Sequence, residues 1–587
     1  MSSTVEILIK VGDSMENTFY VKRNPLVIKT FMSILIPTIL MNLTTAIGSM
    51  ADTVIIGQYL DDLSLSVVTY ATPVYMVINT LAALFAVGGC IAMSVDIGKG
   101  DKKSANRSFS ISMEFLLATA LILFISGIFF TEQITYLLGA GNTEVFEQVK
   151  TYVKIILMGA PIFIMNIAIA FFVRNDGRPN LSMAGMFTSI VVDITFNLVF
   201  VGYMNMGVAG AAYSTVLGQG ISVIIIASHF FSSKNTLRLS LAFDRSILRI
   251  IKNGIGSALT FIYQFITIII LNHYVVSMAG EKGVVIYTVV FNLCTVSLAV
   301  FEGLSQTIQP MVGVYYGENS NKKIKGSIKL ALLAAVVICG SIMLVLEIIP
   351  EIVPHIFGIA DIDLVNQSSM AVRIYATSML IMTVNVIIGY YLQSIEMSSM
   401  ASVLISLRCC VLLLASTFVL SKIFGVNGIW AAYTVAEFLT LVIFGILNIL
   451  KRKKLSKNGT NLNLLFLNKD EEKNTSSFIL KCNSDDFESF NNIVISTIEK
   501  DKIYGTQILN IVKEYLVKLQ SVADIKTGKY IEVEKNNYQK KVIIRDNINH
   551  SSIRNDLNAL HYEGLETEYG PVLGLNRLCI KGAENNE

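Results

Sequence analysis

The chain carries one sequence pattern twice, about 218 residues apart. Gly207-Val-Ala-Gly-Ala-Ala-Tyr213 returns as Gly425-Val-Asn-Gly-Ile-Trp-Ala-Ala-Tyr433, and Gly98-Lys-Gly-Asp-Lys-Lys103 has a counterpart in Tyr316-Gly-Glu-Asn-Ser-Asn-Lys-Lys323. A repeat of this length, built from long apolar segments, is typical of membrane transporters. The duplication therefore predicts two similar lobes with a central site between them, which can open alternately to either side.

The apolar segments are long enough to cross a lipid bilayer. Of the 587 residues 53% are hydrophobic and only 15% are charged, and a membrane helix needs about 20 apolar residues. Twelve such stretches precede residue 451, near 29–56, 64–90, 107–130, 151–173, 180–202, 207–231, 247–276, 284–312, 326–349, 369–393, 399–420 and 426–450. The short alternating strands of a membrane barrel are not visible. The sequence therefore predicts an all-α polytopic membrane protein of twelve transmembrane helices.

The loops between these stretches differ in charge. If the N-terminus lies inside, the inner loops hold most of the cations: Lys99, Lys102, Lys103, Arg107, Arg174, Arg178, Lys234, Arg238, Arg245, Arg249, Lys322, Lys323, Lys325 and the run Lys451–Lys454. The opposite loops carry mainly acids, such as Glu132, Glu351 and Asp361. Under the positive-inside rule this predicts a multi-pass protein of the cell membrane with both termini in the cytoplasm. The net charge of +3 gives no indication of nucleic-acid binding.

These patterns divide the chain into six parts. We expect a cytoplasmic segment over 1–24, a first lobe of six helices over 25–231, an inter-lobe loop over 232–249 and a second lobe over 250–452. A polar linker over 453–475 then leads to a soluble α+β domain over 476–587. The seven cysteines form no CxxC pair, so no metal site or other cofactor is expected.

Several segments resemble the multidrug and toxic compound extrusion (MATE) transporters, in particular their bacterial drug/sodium branch. They are Met50-Ala-Asp-Thr-Val-Ile-Ile-Gly57, Phe171-Phe-Val-Arg-Asn-Asp-Gly-Arg-Pro179, Gly207–Ala212, Gln309-Pro-Met-Val-Gly313 with Gly317, and Ser406-Leu-Arg408. The resemblance covers residues 25–450 and implies two six-helix bundles around a V-shaped cavity. It also implies that bulky, often cationic organic compounds are exported in exchange for Na⁺ or H⁺, by a transporter rather than an enzyme.

Intramembrane acids are the candidates for ion coupling. An ionised carboxylate within a membrane helix is costly, so it usually faces a cavity or a partner. Asp52 stands in the helix-1 motif whose aspartate is tied to cation coupling in the resembling family. Asp193 and Asn197 come second: the family often has Asn-x-x-x-Asp, whereas this chain has Asp193-Ile-Thr-Phe-Asn197. The exchange by one turn leaves both side chains on the same helix face.

A substrate cavity would be lined by polar and aromatic side chains on otherwise apolar helices. The candidates are Glu302, Asn42, Asn166, Tyr263, Gln264, Gln306 and Asn385. Glu302 is the one that could meet a cationic drug. Arg408 is costly to bury without a partner, so we expect one of the intramembrane acids Glu302, Glu114 and Glu437 beside it.

The C-terminal residues have a different composition. Phe478–Cys482, Tyr530–Glu534 and Val542–Arg545 are typical of strands, and Asp486–Lys500 and Thr506–Gln520 of amphipathic helices. Their order weakly resembles the ATP-binding domain of histidine kinases and anti-sigma serine kinases. Asp546-Asn547 would then fall at the DxG box and Gly570–Leu575 at the glycine-rich box. The Mg²⁺-binding asparagine of that domain would be expected near Lys518, and Ile548 replaces the box glycine. We therefore expect a degenerate module that binds a regulatory partner, or nucleotide only poorly. A plain structural tail is the alternative.

Three functions remain open at this stage. The first is a cation-coupled exporter of small organic compounds, and the second is a lipid-linked saccharide flippase of the same superfamily, which would favour a strongly basic cavity. The third is a membrane-anchored signalling protein that acts through its last domain. A primary ATP-driven pump would need a GxxxxGK[ST] loop, which the sequence lacks.

Overall fold

In a computed structural model the chain forms a helical membrane part and a small C-terminal sheet domain. The structure describes residues 24–60, 62–141, 143–240, 244, 246–357, 359, 361–456, 462–468, 475–481, 491–492, 494–496, 498, 506–522, 530–536, 541–548 and 565–582. Most of the N-terminal segment expected over 1–24 and parts of the helix expected over 486–500 lie outside these residues.

Seven helices form the first lobe: α1 (Pro25–Tyr59), α2 (Asp62–Lys99), α3 (Lys102–Phe129), α4 (Thr131–Leu137), α5 (Phe146–Asn175), α6 (Pro179–Asn197) and α7 (Gly207–Ala227). α6 continues as a π-helical turn over Leu198–Tyr203. α1 begins where two start signals coincide, because the Asn24 side chain accepts hydrogen bonds from the N–H groups of Leu26 and Val27, and Pro25 takes the first helical position.

The second lobe repeats this arrangement: α8 (Ser246–Gly317), α9 (Asn321–Ile348), α10 (Ile352–Ile356), α11 (Ile362–Ala376), α12 (Met379–Ser394), α13 (Ser398–Ser406), α14 (Leu412–Phe424) and α15 (Val426–Ser456). α8 breaks at Gly280, whose φ of 59° is not helical. We call its two parts α8a (Ser246–Gly280) and α8b (Val285–Gly317). A π-helical turn over Leu407–Val411 joins α13 to α14.

Among the described residues, eleven helices are long and apolar enough to cross a membrane. α11 and α12 together make a twelfth span with a bend of 44° between them. The predicted all-α polytopic fold with twelve spans, and the small C-terminal α+β domain, are therefore confirmed.

The duplication is visible in the backbone as well as in the sequence. Left-handed residues occur in pairs separated by 218 or 219 positions: Gly100 (φ 83°) with Asn319 (60°), Gly177 (82°) with Glu396 (59°), and Gly207 (59°) with Gly425 (60°). Each pair lies at a helix terminus, where a left-handed residue redirects the chain. The π-helical turns occupy span five of the first lobe and span five of the second. The two lobes are thus built on the same local plan.

The lobes touch at the ends that carry the basic loops, which we call the basic face (residues 100–101, 176–178, 232–240, 244, 318–320 and 395–397). There α2 meets α8b at two glycines that the repeat relates. A Cβ atom on Gly98 would lie 2.1 Å from the carbonyl oxygen of Val314, and one on Gly317 would lie 2.1 Å from that of Val95. Only glycine permits this backbone contact, so the lobes are closed at the basic face.

Towards the opposite face an open apolar cleft of about 460 Å³ lies between α1 and the α6 segment of the first lobe, with one residue of the second lobe at its edge. It is lined by Ile47, Met50, Ala51, Val54 and Ile55 of α1, Ile194 and Leu198 of the α6 segment, and Val296 of α8b. The cleft thus lies where the first lobe meets α8b, on the side away from the basic face.

The C-terminal domain is a five-stranded antiparallel sheet of β1 (Thr475–Lys481), β2 (Tyr530–Asn536), β3 (Lys541–Asp546), β4 (Leu565–Val572) and β5 (Leu575–Gly582), in the order β1-β2-β3-β5-β4. One helix, α16 (Thr506–Val522), packs its apolar side chains on one face of this sheet, against Ile531, Val533 and Ile544. The other face of the sheet lies against the basic face of the membrane part. The part of the linker that is described packs there too, since the Tyr391 hydroxyl donates to the carbonyl of Leu465 at 2.5 Å.

Candidate functional site

Two carboxylates and an amide meet inside the first lobe. Asp52 projects from α1, and Asp193 and Asn197 project from α6 one helical turn apart. The Asn197 side-chain amide donates a hydrogen bond of 2.9 Å to Asp52 Oδ1. Asp193 lies close enough to Asp52 for their negative charges to repel each other. The fold therefore brings together the three residues that the sequence proposes for ion coupling, although they are more than 140 positions apart in the chain.

This cluster has more oxygen acceptors than donors. Among the residues that the structure describes, none donates a hydrogen bond to the buried Oδ1 atoms of Asp193 and Asn197, which are 6% and 0% exposed. Ser214 and Thr215 of α7 lie beside Asp193, but their hydroxyls donate to the carbonyl of Ala211 at 2.8 and 2.9 Å. Buried oxygens without donors are unfavourable unless a proton or a cation satisfies them. Carboxylate, amide and hydroxyl oxygens are the ligands that hard cations take.

Two tyrosines that the sequence analysis missed stand next to the cluster. The hydroxyls of Tyr75 on α2 and Tyr152 on α5 are 3.2 Å apart, and both lie within electrostatic range of Asp52 and Asp193. In the sequence each is one aromatic residue within an apolar helix, with no spacing that connects it to the acids. Only the packing of α2 and α5 against α1 and α6 reveals them.

The cluster lies directly behind the wall of the inter-lobe cleft. Met50, Ala51 and Val54, which surround Asp52 in α1, face the cleft, and so do Ile194 and Leu198 beside Asp193 and Asn197. The same two helices thus carry the buried polar cluster on one side and the apolar wall on the other. A change of charge in the cluster would therefore affect the positions of α1 and α6, the two helices that a ligand in the cleft would contact.

A second polar group closes the base of the cleft between the lobes. Gln306 of α8b accepts a hydrogen bond of 3.1 Å from Arg174 of α5, lies 3.4 Å from the Asn42 amide of α1, and donates to the Tyr390 hydroxyl of α12 at 3.2 Å. Asn42 and Gln306, both predicted to line the cavity, are therefore in contact across the two lobes. They mark the floor of the cleft.

The position of Arg174 differs from the one predicted from the loop charges. It was assigned to an inner loop, but it lies in the last turn of α5 and is only 1% exposed. Its guanidinium binds Gln306, reaches Gln309 at 3.4 Å and stacks on the ring of Phe171 with a centroid distance of 4.6 Å. Arginine keeps its charge even when buried. Arg174 therefore joins the lobes instead of lying in a loop.

The second lobe has its own buried ion pair. Arg408 Nε donates to Glu437 Oε1 at 2.7 Å, and the Asn385 amide donates to Glu437 Oε2 at 2.7 Å. Glu302 is partly buried and lies within electrostatic range of Arg408. The prediction that an intramembrane acid neutralises Arg408 is confirmed, and Glu437 is that acid.

Two of the remaining cavity candidates are fully buried, and two are half-buried. Asn166 is fully buried inside the first lobe, where its amide donates to Gln219, and Asn385 is fully buried inside the second lobe. Neither belongs to the lining of the cleft. The Tyr263 hydroxyl is 2.9 Å from Ser406 Oγ, and Gln264 lies half-buried on α8a. A polar residue in an apolar helix is thus a weak indicator of cavity lining.

The residues of the nucleotide site predicted for the C-terminal domain also have other positions than expected. The buried Asp546 carboxylate accepts hydrogen bonds from the Tyr515 hydroxyl at 2.7 Å, the Asn576 amide at 2.9 Å and the Ile548 N–H at 2.9 Å. Its acceptors are therefore occupied by the domain itself. Gly570–Leu575, expected at a glycine-rich nucleotide loop, is instead the end of β4, the turn Leu573–Gly574 and the first residue of β5, so that part of the expectation is wrong.

Twelve spans, two related lobes that touch at the basic face, and polar clusters buried inside the membrane part are the features of a two-lobed membrane transporter. The family model described as MatE matches residues 37–199 and 254–419, one segment in each lobe. Because this match covers more than half of the chain, the protein belongs to the MatE family.

Relatives with assigned names agree with this placement. The multidrug export protein MepA of Staphylococcus saprophyticus is 25% identical over 454 residues, which cover 76% of this chain and 99% of the relative. MepA of Staphylococcus haemolyticus is 24% identical over 436 residues, with 73% and 95% covered.

Solved structures share the fold. A MATE in complex with MaL6 superposes with a TM-score of 0.69 at 21% identity, covering 73% of this chain and 97% of its own. The outward-facing conformation of a multidrug resistance MATE family transporter of the MOP superfamily gives a TM-score of 0.68 at 21% identity, with the same coverage.

Proposed function

We propose that this protein exports organic compounds, mainly cationic ones, across the cytoplasmic membrane in exchange for Na⁺ or H⁺. One observation carries the proposal: the buried cluster of Asp52, Asp193 and Asn197 has unsatisfied oxygens and lies behind the wall of the cleft between the lobes. Membership of the MatE family and the names of the multidrug export relatives support it.

The basic face lies in the cytoplasm in this proposal, and so do both termini. The loops at that face carry most of the cations, as the positive-inside rule requires of cytoplasmic loops. The lobes are then closed on the cytoplasmic side, and the cleft opens to the outside. This is the state in which an exporter releases its substrate and takes up its coupling ion.

The cluster offers a physical route for coupling. A cation held by the oxygens of Asp52, Asp193 and Asn197, or a proton on one carboxylate, would cancel the repulsion between the two acids and hold α1 against α6. When the ion leaves, the repulsion returns and favours a movement of α1, which contains Pro37 as a point of bending. Because α1 also forms the cleft wall, ion and substrate bias the same helix, which is the requirement for coupled transport.

The substrate would lie in the apolar cleft above the polar floor. The cleft wall suits flat apolar groups, since most of its lining side chains are aliphatic. Asn42 and Gln306 would orient polar atoms of the substrate, and the partly buried Glu302 would attract a positive charge. The adaptable wall fits a broad range of compounds better than one tightly recognised ligand.

Ethidium efflux from membrane vesicles, driven by an imposed Na⁺ gradient or an imposed pH gradient, tests the proposal. We expect one gradient to drive efflux, and we expect Asp52→Asn to abolish this coupled efflux at an unchanged protein level, because the amide removes one of the two charges that the ion must balance. Glu132→Gln is the matched control, since it removes a carboxylate that is largely exposed at the opposite face.

Equal gradient-driven efflux from Asp52→Asn and the wild type would remove Asp52 from the mechanism. Absence of efflux under both gradients, for ethidium and for other cationic dyes, would refute the proposed export function.

A further inference from the structure

The C-terminal sheet has one apolar face and one charged face. Successive residues of β2 alternate between them, so that Ile531 and Val533 pack under α16 while Glu532 and Glu534 point to the other side. The charged face also carries Lys541, Arg545, Glu568 and Arg577. Except for Glu568 these side chains are almost completely buried, and the membrane part is what covers them. Charges removed from water are costly unless each one is paired, so this contact is specific.

One set of pairs attaches the sheet to the second lobe. Glu318, in the loop between α8b and α9, accepts hydrogen bonds from Arg545 and, at 2.9 Å, from Arg577. In the same loop the Ser320 hydroxyl donates to Glu534 at 2.5 Å. Lys323 of α9 binds Glu534 at 2.5 Å and Glu532 at 2.8 Å. Three side chains of the second lobe are thus bound by residues of three strands, β2, β3 and β5.

Another set attaches the same sheet to the first lobe. Arg577 donates to the carbonyl of Ile97 at 2.7 Å, and Lys541 donates to the carbonyl of Gly98 at 3.1 Å. Lys102 of α3 donates to the carbonyl of Tyr569 at 2.8 Å. The turn of the β4–β5 hairpin touches the loop after α5, where a Cβ atom on Gly177 would lie 3.0 Å from the backbone nitrogen of Gly574.

Arg577 therefore holds both lobes with one guanidinium. Its Nη1 binds Glu318 of the second lobe, and its Nη2 binds the Ile97 carbonyl of the first. These two partners flank the Gly98–Gly317 contact that closes the basic face. A guanidinium is a rigid planar fork, so it cannot follow the two partners when the lobes separate. Opening the basic face must break at least one of these bonds.

We propose that the C-terminal domain is an intramolecular lock, which holds the two lobes together at the basic face by binding both of them and must release at least one before that face opens. Its consequence for transport rests on the proposed export function, in which opening of the basic face admits the substrate. The docked domain then keeps the transporter from taking up substrate, and release of the domain is the point at which the activity is controlled.

A merely stabilising appendage would need only one lobe as its support. Here the first lobe contributes backbone carbonyls and Lys102, and the second contributes Glu318, Ser320 and Lys323, so the interface is shared between the lobes. A comparison with a relative supports this view of the domain as an addition. The alignment with MepA of Staphylococcus saprophyticus covers 99% of that protein but only 76% of this chain. The fold of the lobes in that relative therefore does not require so long an addition.

The test uses two substitutions in the full-length chain, one on the membrane part and one on the C-terminal domain, that each remove an ion pair of the interface. Glu318→Gln removes the carboxylate that Arg545 and Arg577 share without changing the domain itself, and Arg577→Gln removes the bridge. Lys513→Gln is the matched control, because it removes a cation from α16 on the far side of the sheet. Glu318→Gln keeps the test valid if Arg577→Gln unfolds the domain.

Two readouts separate docking from its consequence. Docking is followed by the alkylation rate of Cys579, which is buried on the charged face of the sheet and is resolved from the other cysteines by peptide mass spectrometry. Lobe separation is followed by the distance between spin labels on cysteines at the exposed positions 103 and 322, one at the basic face of each lobe. Neither readout depends on a transported compound, so a failure of the export proposal does not affect them.

We expect Glu318→Gln to raise the alkylation rate of Cys579 at least tenfold and to add a population with a longer distance between the labels, while Lys513→Gln matches the wild type. Ethidium efflux should then become faster in Glu318→Gln. Faster alkylation with an unchanged label distance would overturn the lock, because the domain would leave without freeing the lobes. Unchanged alkylation in both substitutions would overturn it as well, since these ion pairs would not hold the domain.

Discussion

Gly98→Ala is a direct perturbation of the closed basic face. The Cβ atom of alanine would lie 2.1 Å from the carbonyl oxygen of Val314 and 2.9 Å from the Cα atom of Gly317. A carbon–oxygen contact between neighbouring backbones ordinarily measures roughly 3.3–3.6 Å. The two helices must therefore separate by about 1.2 Å at this point before the methyl group fits. Both neighbours are backbone atoms, so no side-chain rotation can relieve the contact.

The magnitude follows from the cost of overpacking. Forcing an extra methyl group into a tightly packed contact costs about 1–3 kcal/mol. The cost falls only on the state in which α2 and α8b touch, because the methyl group is free of Val314 once the lobes have separated. It therefore shifts the equilibrium between closed and open basic face by about 5- to 150-fold towards the open state.

Electron–electron double resonance measures this shift directly. Spin labels on cysteines at positions 103 and 322, in a background without native cysteines, report the distance between the two lobes at the basic face. Gly98→Ala should enlarge the population with the longer distance. Gly326→Ala is the control, since a Cβ atom at Gly326 meets nothing within 4 Å, and it gains the same helix propensity as Gly98→Ala. A distance distribution for Gly98→Ala that equals that of Gly326→Ala would refute the reasoning.

Two further predictions concern buried charges. Glu437→Gln leaves the Arg408 guanidinium buried without its carboxylate, so it should lower the free energy of unfolding, measured by thermal unfolding in detergent, by about 3–5 kcal/mol. Combining Glu437→Gln with Arg408→Met should recover most of this loss. A Glu437→Gln protein as stable as the wild type would contradict the pairing. Where the C-terminal domain meets the membrane part, the charges of Lys323 and Arg545 outweigh the effect of burial and hold the pKa of Glu534 at about 2, below its ordinary value. Docking should therefore be constant from pH 8 to 5, weaken as the pH falls below about 4.5 and be lost towards pH 2. The distance between spin labels on cysteines at the exposed positions 103, on the first lobe, and 517, on α16, checks this, because alkylation needs the thiolate and stops at low pH. A transition between pH 5 and 8 would contradict it.

The spans and the duplication could be predicted because they depend on local composition. A membrane helix needs about 20 apolar residues wherever it lies in the chain, and the positions of Gly207 and Gly425 show in the sequence as they do in the backbone. Asp52, Asp193 and Asn197 could be proposed because a carboxylate is rare and costly in an apolar helix. The same reasoning predicted a partner for Arg408.

Other site residues could not be predicted because their environment depends on contacts between distant helices. Arg174 follows an apolar stretch and was assigned to a basic loop, yet the second lobe covers it and supplies Gln306 and Gln309 as partners. Asn166 and Asn385 have the same sequence environment as Asn42, but they point into their own lobes. The sequence of a helix shows which residues are polar and leaves the direction of each side chain undetermined.

The sequence by itself determined that this chain has twelve membrane helices in two related halves, a set of buried acids and an appended α+β domain. These follow from the length, apolarity and periodicity of single segments, which act locally. Only the tertiary structure decided that Asn197 binds Asp52, that the lobes are closed at the basic face, and that Arg577 binds both lobes at once. The reason is physical: pairing of buried charges and backbone contact at glycine depend on distances between segments that are hundreds of residues apart, and no local pattern records them.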